Sequence, residues 1–365
     1  MKLVVMCALL GACSDSSHVP SLFEATRGDA TDGIDVRVRL DAIDRGPFRL
    51  QFGDRDVVPT HVVRAPLANG VLLRGSVDGG GSIVLARVGH TVTGVIRDGR
   101  AVYEIVPSHG GHRLVPRSWQ IARPLHGPGW DELAAHRGPR PPALPASTAP
   151  IVVDVAFAYT KRVVDKRTFD GIRGLATTAI AELNEASEAA GLDVRFRIAG
   201  LGQTTSSEGG RDMRQLYYDL LHRTDFDDAH ALRKQLHADI LVLLVDNEKG
   251  PLGLATIMGE KDTAVAVVDQ RDSVWYLTIA HEIGHIMGGL HDPADDATEV
   301  PFPYGHGFIG PTSRTIMATP CGDPETCPLV VRWSAPPDLG NDAQCDNARV
   351  LRETAATVAG FGEQL

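Results

Sequence analysis

The chain has 365 residues, 43% of them apolar and 22% charged, a balance that suits an ordinary globular protein with room for two domains and excludes disorder as the main theme. A formal net charge of −10 and an isoelectric point near 5.8 argue against nucleic acid or an anionic membrane face as a partner.

Lys2 precedes an apolar run, Leu3 to Leu10, and Leu10-Gly11-Ala12-Cys13 resembles a bacterial lipobox, in which signal peptidase cuts before a cysteine that carries lipid. Residues 1–12 are thus expected to be a lipoprotein signal peptide and Cys13 the lipid attachment. The protein would be exported and lipid-anchored to the cell envelope. Ser14 at the second mature position points to the outer membrane. The alternative is an ordinary secretory signal cleaved nearby, which would give a secreted protein. The run itself is too short to remain in a bilayer as a helix.

Residues 13–32 are small and polar and read as a tether. From 33 to 123 the pattern changes to short alternating stretches, among them Ile34 to Leu40, Gly70 to Val77, Ser82 to Val88 and Thr91 to Ile96. Asp98-Gly99 suits a tight hairpin turn before Ala101 to Val106, so this segment is expected to be a small all-β domain. His109 and His112, beside a Gly-Gly turn, read as solvated loop residues. Residues 124–149 contain Pro139, Pro141, Pro142 and Pro145 without apolar periodicity, which predicts a linker. The last segment, 150–365, opens with an apolar strand at Ile151 to Phe157 and a helix from about Phe169 to Ala190. Further strands are predicted at Val194 to Ile198, Ile240 to Val245 and Ala264 to Val268.

The most informative stretch follows, His281-Glu282-Ile283-Gly284-His285-Ile286-Met287-Gly288-Gly289-Leu290-His291-Asp292. Two histidines four apart on a helix project from one face and reach a single ion. A catalytic zinc takes three protein ligands, and His291 is the third candidate. Gly288 ends the helix, because glycine reaches positive φ without steric cost and lets the chain fold back with His291. Buried histidines can simply be hydrogen-bonded, but the chance expectation for this pattern at this composition is on the order of 10⁻⁴.

His-Glu-x-x-His-x-x-Gly-x-x-His followed by a Met-turn is the metzincin pattern, and Asp292 directly after the third histidine resembles the reprolysin (adamalysin-like) branch. Thr315-Ile316-Met317-Ala318 supplies the Met-turn, with Met317 beneath the ligands. The resemblance covers roughly residues 150–365 and implies an α/β (α+β) catalytic domain with a twisted mixed sheet. It also implies one catalytic Zn²⁺, an antiparallel edge strand before the zinc helix that pairs with an extended substrate, and a propeptide-like role for the β domain. Asp292 would make structural hydrogen bonds under the site, and Thr319 stands where some metzincins carry an extra tyrosine ligand. Asp154 with Asp346 or Asn347 is a weaker candidate for Ca²⁺, as in some reprolysins. With Cys7 in the signal and Cys13 lipidated, Cys321, Cys327 and Cys345 remain. Cys321 and Cys327 flank a Pro-containing loop after the Met-turn and are the first choice for a disulfide, Cys345 being a spare or a competitor.

The expected function is zinc endopeptidase, with Glu282 as the general base for a zinc-activated water, acting on peptide or protein substrates as a monomer. The alternatives are a zinc hydrolase of another amide, such as a peptidoglycan cross-link, and a catalytically silent partner-binding lipoprotein, against which an intact Glu282 counts. Residues 33–123 carry 13 Arg and 8 acids, +5, and residues 150–365 carry 19 basic and 32 acidic residues, −13. Opposite signs favour docking of one on the other and a restricted cleft.

Overall fold

A computed structural model describes residues 19–29, 33–52, 55–77, 80–99, 101–108, 110–118, 138–141, 149–296, 301–321 and 327–365. The signal peptide and Cys13 lie outside the described residues, as does His109. Among the described residues no helix is long and apolar enough to cross a membrane.

The N-terminal part is built from β1 (Phe23–Asp29), β2 (Gly33–Val38), helix α1 (Leu40–Asp44), β3 (Leu50–Phe52), β4 (Arg55–Val57), β5 (Thr60–Leu67), β6 (Gly70–Val77), β7 (Gly81–Val88), β8 (Thr91–Arg97), β9 (Val102–Ser108) and β10 (Gly111–Arg117). Eight of these strands form one antiparallel sheet in the order β1-β2-β10-β9-β8-β7-β6-β5, and β3 pairs with β4 separately. The hairpin turn at Asp98-Gly99 holds, with Gly99 at φ +78° and Asp98 Oδ1 accepting from the Ala101 N–H at 2.8 Å. Two expectations are corrected here. Part of the supposed tether is β1, which pairs Phe23 with Val38 and closes the sheet's edge. His112 is buried rather than solvated, and its Nε2 accepts from the Val92 N–H at 2.8 Å.

The C-terminal part contains β11 (Ile151–Tyr159), α2 (Lys161–Ala189), β12 (Val194–Gln203), α3 (Met213–His222), α4 (Asp227–Gln235), β13 (Ile240–Val245), β14 (Gly253–Ala255), β15 (Val265–Asp269), α5 (Thr278–Ile286) and α6 (Asn347–Val358). Helix α2 breaks at Thr168, whose φ of 60° and ψ of 165° are not helical, so its long arm starts at Phe169 as its apolar periodicity predicts. The sheet order is β12-β11-β13-β15-β14, parallel except for β14. Every residue of β13 and β15 is buried, as expected of parallel strands covered on both faces. The edge-strand expectation is therefore corrected: residues 265–269 form an interior strand, and the antiparallel edge is Gly253–Ala255.

The β domain docks on α2. Gly171 and Gly174 permit the approach, since a β-carbon at 171 would fall 2.8 Å from Pro107 Cγ and one at 174 would fall 2.7 Å from Thr93 Oγ1. Val95 and Val102 join the same hydrophobic cluster as Val153, Leu175 and Ile283. Opposite charges meet as the composition suggests, Arg97 with buried Glu182 and Arg74 with Glu188 at 3.6 Å, while Glu104 and Arg167 pair with the signs reversed at 3.0 Å. Arg97 Nη2 also donates to the Trp275 carbonyl at 3.1 Å, and the Arg117 guanidinium lies 5.5 Å from the Trp275 ring centroid. These contacts reach the segment that leads into α5. Within the proline-rich linker, the Gly138 N–H donates to the Ile257 and Met258 carbonyls at 3.1 Å, and Arg140 pairs with Glu353 at 2.7 Å.

Candidate metal centre and active site

Helix α5 carries His281, Glu282 and His285 into the interior, where they are 2%, 0% and 0% exposed. It ends as the sequence predicts. Gly288 has φ +99°, its N–H donates to the His285 carbonyl at 2.8 Å, and the Gly289 N–H donates to the Gly284 carbonyl at 2.8 Å, a Schellman termination. A side chain at 288 would face both strain and collision, its β-carbon 2.7 Å from Phe302 Cε2. The chain then turns back, and residues 305–307 hold the returning segment. The Leu290 N–H donates to the Gly305 carbonyl at 2.7 Å and His306 Nδ1 donates to the His291 carbonyl at 2.8 Å.

The three Nε2 atoms converge. His281 and His285 are 3.1 Å apart, His285 and His291 2.9 Å, and His281 and His291 3.3 Å. Zinc–nitrogen bonds of about 2.0–2.1 Å in a tetrahedron place neighbouring nitrogens roughly 3.3 Å apart, so the spacing fits one zinc ion. The outer nitrogens agree. His281 Nδ1 donates to the Ile316 carbonyl and His285 Nδ1 to the Gly289 carbonyl, both at 2.8 Å, while His291 Nδ1 lies 3.0 Å from Asp295 Oδ2. Protons held on Nδ1 leave the Nε2 lone pairs facing one another, an arrangement that a cation relieves. Burial pushes His281 down to about 4, which keeps its imidazole neutral near pH 7. Among the described residues this trio is the one group of His, Cys, Asp or Glu side chains spaced for a metal.

Glu282 is buried with neither carboxylate oxygen hydrogen-bonded, and burial pushes its carboxyl well above the usual range. It lies against the edge strand at Gly253. Met317 is packed below the zinc helix: a β-carbon at Gly284 would fall 2.4 Å from Met317 Sδ and 3.0 Å from Trp333. Asp292 accepts from the Thr319 N–H at 2.9 Å and from its hydroxyl at 2.6 Å, tying the third histidine's segment to the Met-turn. Cys321 and Cys327 form the disulfide, and Cys345 is a buried free cysteine.

The calcium candidates do not combine. Asp154 is engaged by Arg197 in two bonds of 2.7 Å, Asp346 caps α6 by accepting from the Arg349 N–H, and Asn347 bonds Ser334 and the Gly305 carbonyl. Sequence reasoning missed His306 and Asp295, which contact the third histidine's segment. His306 sits 15 residues beyond His291 with no periodic context, although Asp295 carried a signal, being four residues from His291 and equally able to reach it.

Residues 149–334 match the Reprolysin_5 model of metallo-peptidase family M12. The chain belongs to this family. It is thus a zinc metalloendopeptidase of the reprolysin-like kind, and the metzincin resemblance stands. The chain is also similar to a peptidyl-Asp metalloendopeptidase of Stenotrophomonas maltophilia strain K279a, 32% identical over 79% of this chain and 72% of that protein. A peptidyl-Asp metalloendopeptidase of Xanthomonas campestris pv. campestris is 32% identical over 77% of this chain and 70% of its own length. Among solved structures, metalloproteinase-II from Bacteroides fragilis aligns over 85% of this chain and 91% of that one, with a TM-score of 0.45 and 13% identity.

Proposed function

We propose that this zinc endopeptidase cleaves peptide bonds adjoining aspartate, with His281, His285 and His291 holding the ion and Glu282 acting as general base. The observation that carries the mechanism is the unpartnered Glu282 carboxylate, buried beside the converging imidazoles and against Gly253 of the edge strand. When bound, zinc supplies Lewis acidity at the point where the imidazoles meet. β14 ends the sheet, and an extended peptide adding to that edge would lay its scissile bond across the site. Glu282 takes the proton of the attacking water and delivers it to the departing amine. The aspartate preference is supported by the activity in the names of the relatives, which align over most of this chain.

Lys2, the apolar run that follows and Cys13 support export and anchorage to the outer membrane by lipid. The test of the activity is digestion of a mixed peptide library by the purified protein, with and without a chelator, followed by mass spectrometry of the new termini. New termini enriched in aspartate on one side of the cut, abolished by the chelator and restored by zinc, are expected. Cleavage of peptidoglycan cross-links but not of peptides would refute the reading.

A further inference from the structure

Arg314 lies three residues before Met317 and is 1% exposed. Its Nη1 donates to the Ala318 carbonyl at 3.0 Å and its Nη2 to the Tyr276 hydroxyl at 2.8 Å, and the guanidinium carbon stands 5.1 Å from the Tyr276 ring centroid. Its Nε is buried with no partner. Tyr276 belongs to the segment leading into α5 and Ala318 follows the Met-turn methionine, so the guanidinium spans the two segments flanking His281. Its positive charge helps to hold that imidazole neutral.

A buried guanidinium without a carboxylate is costly, because the desolvation of the charge is not repaid. Among the described residues no carboxylate bonds to it: Asp292 acts on it through its field alone, its oxygens accepting from Thr319 and the Ala294 N–H instead. The other arginines around the zinc helix have acids of their own: Arg97 has Glu182, Arg271 has Asp269, Arg140 has Glu353 and Arg167 has Glu104. Among the described residues Arg314 alone of these arginines has no carboxylate in contact with it. Burial does not set it apart from a substrate, since His281 and Glu282 are buried to the same degree and must meet one.

We propose that Arg314 is the specificity-determining cation of the cleft, completing its charge balance with the side-chain carboxylate of a substrate aspartate beside the scissile bond. An arginine suits this role because its planar fork binds a carboxylate through two donors and it stays protonated at any working pH. The inference rests on the aspartate reading above. Arg332, exposed and joined to the Met-turn only through its backbone carbonyl at Ile316, is the comparison cation.

The experiment measures kcat/KM on matched peptides carrying Asp, Asn, Glu or Ala on either side of the cleaved bond. It uses the full-length protein and its Arg314→Met, Arg314→Lys and Arg332→Ala variants, with zinc content and Tm recorded for each. Arg314→Met should lower the Asp-over-Asn ratio by roughly 10- to 100-fold, the value of one charged hydrogen bond, while still cleaving the Asn peptide. Arg314→Lys should keep an acidic preference but shift it from Asp toward Glu, because the ammonium ends shorter. Arg332→Ala should leave the ratio unchanged. An Asp-over-Asn ratio that survives in Arg314→Met, or an equal loss on both peptides, overturns the assignment. Should the Met variant fail to fold, an unshifted Asp-to-Glu ratio in Arg314→Lys overturns it instead. A starting protein without aspartate preference refutes the underlying reading, and this is seen before any variant is made.

Discussion

Gly253 of the edge strand and Glu282 of the zinc helix are in such close contact that a β-carbon on Gly253 would fall 2.4 Å from Glu282 Oε1 and 2.8 Å from its carboxyl carbon. The strand proposed to receive the substrate therefore also sets where the Glu282 carboxylate can stand. Gly253→Ala should push the carboxylate aside without touching a metal ligand. A fall in kcat of about tenfold or more, equivalent to roughly 1.4 kcal/mol or more of barrier, is expected with zinc content unchanged. Zinc analysis and steady-state kinetics on one preparation check this, and an unaltered kcat would show that the carboxylate has room to spare.

Glu282→Gln should fold, bind zinc and lose peptide hydrolysis by about 10²- to 10⁴-fold, since only the proton acceptor is removed. The change also exchanges a buried ionisable group for a neutral one of the same shape, so Tm should not fall. Undiminished hydrolysis would sink the general-base role.

His291→Ala should release the metal as well as the activity. His281 and His285 remain in place on α5, but two imidazoles do not make the three-ligand set that a catalytic zinc needs. Metal analysis after dialysis is the measurement. One equivalent of retained zinc would place the third ligand elsewhere.

Glu182 gives a pH dependence to the interface between the two domains. Burial raises its carboxyl from the ordinary 4.5 to about 7, against the pull of Arg97. A carboxyl held above its unfolded value contributes stability in full below pH 4.5 and loses it as the pH rises through about 7. The protein should therefore lose stability relative to Glu182→Gln across that window. Denaturant titrations of both proteins at several pH values test it, and a gap that moves the other way would refute the burial argument.

The catalytic centre was legible because its information is local. The spacing of His281, His285 and His291 and the helix stop at Gly288 each follow from a few neighbouring residues, and the place of Met317 came with the resemblance that this motif carries. The disulfide followed from sequence proximity in the same way. What failed was information carried by distant partners. Gly253–Ala255 is too short to show any period, so the edge that the resemblance implies was assigned to the longer apolar run before the zinc helix, although both faces of residues 265–269 are covered. Polar Thr26, Arg27 and Gly28 disguised β1 as tether, and only its pairing with β2 makes a strand of it. His112 looked exposed because its partner, the Val92 N–H, lies 20 residues away. Arg314 gave no signal at all, since an arginine in a loop reads as surface until its burial is seen.

The small residues Gly171 and Gly174 turn the outer face of α2 into a socket for the strands of the β domain, closed by Glu182 and Arg167. A cut in the intervening linker would then sever the chain without separating the molecule. The nicked protease should travel through gel filtration as a single particle and come apart only under denaturant, because separation would expose stranded charges and part of a shared core. Two peaks after nicking would contradict this. Were the linker cut in this way, the covalent connection would change before the composition did, and the β domain would stay on as a subunit.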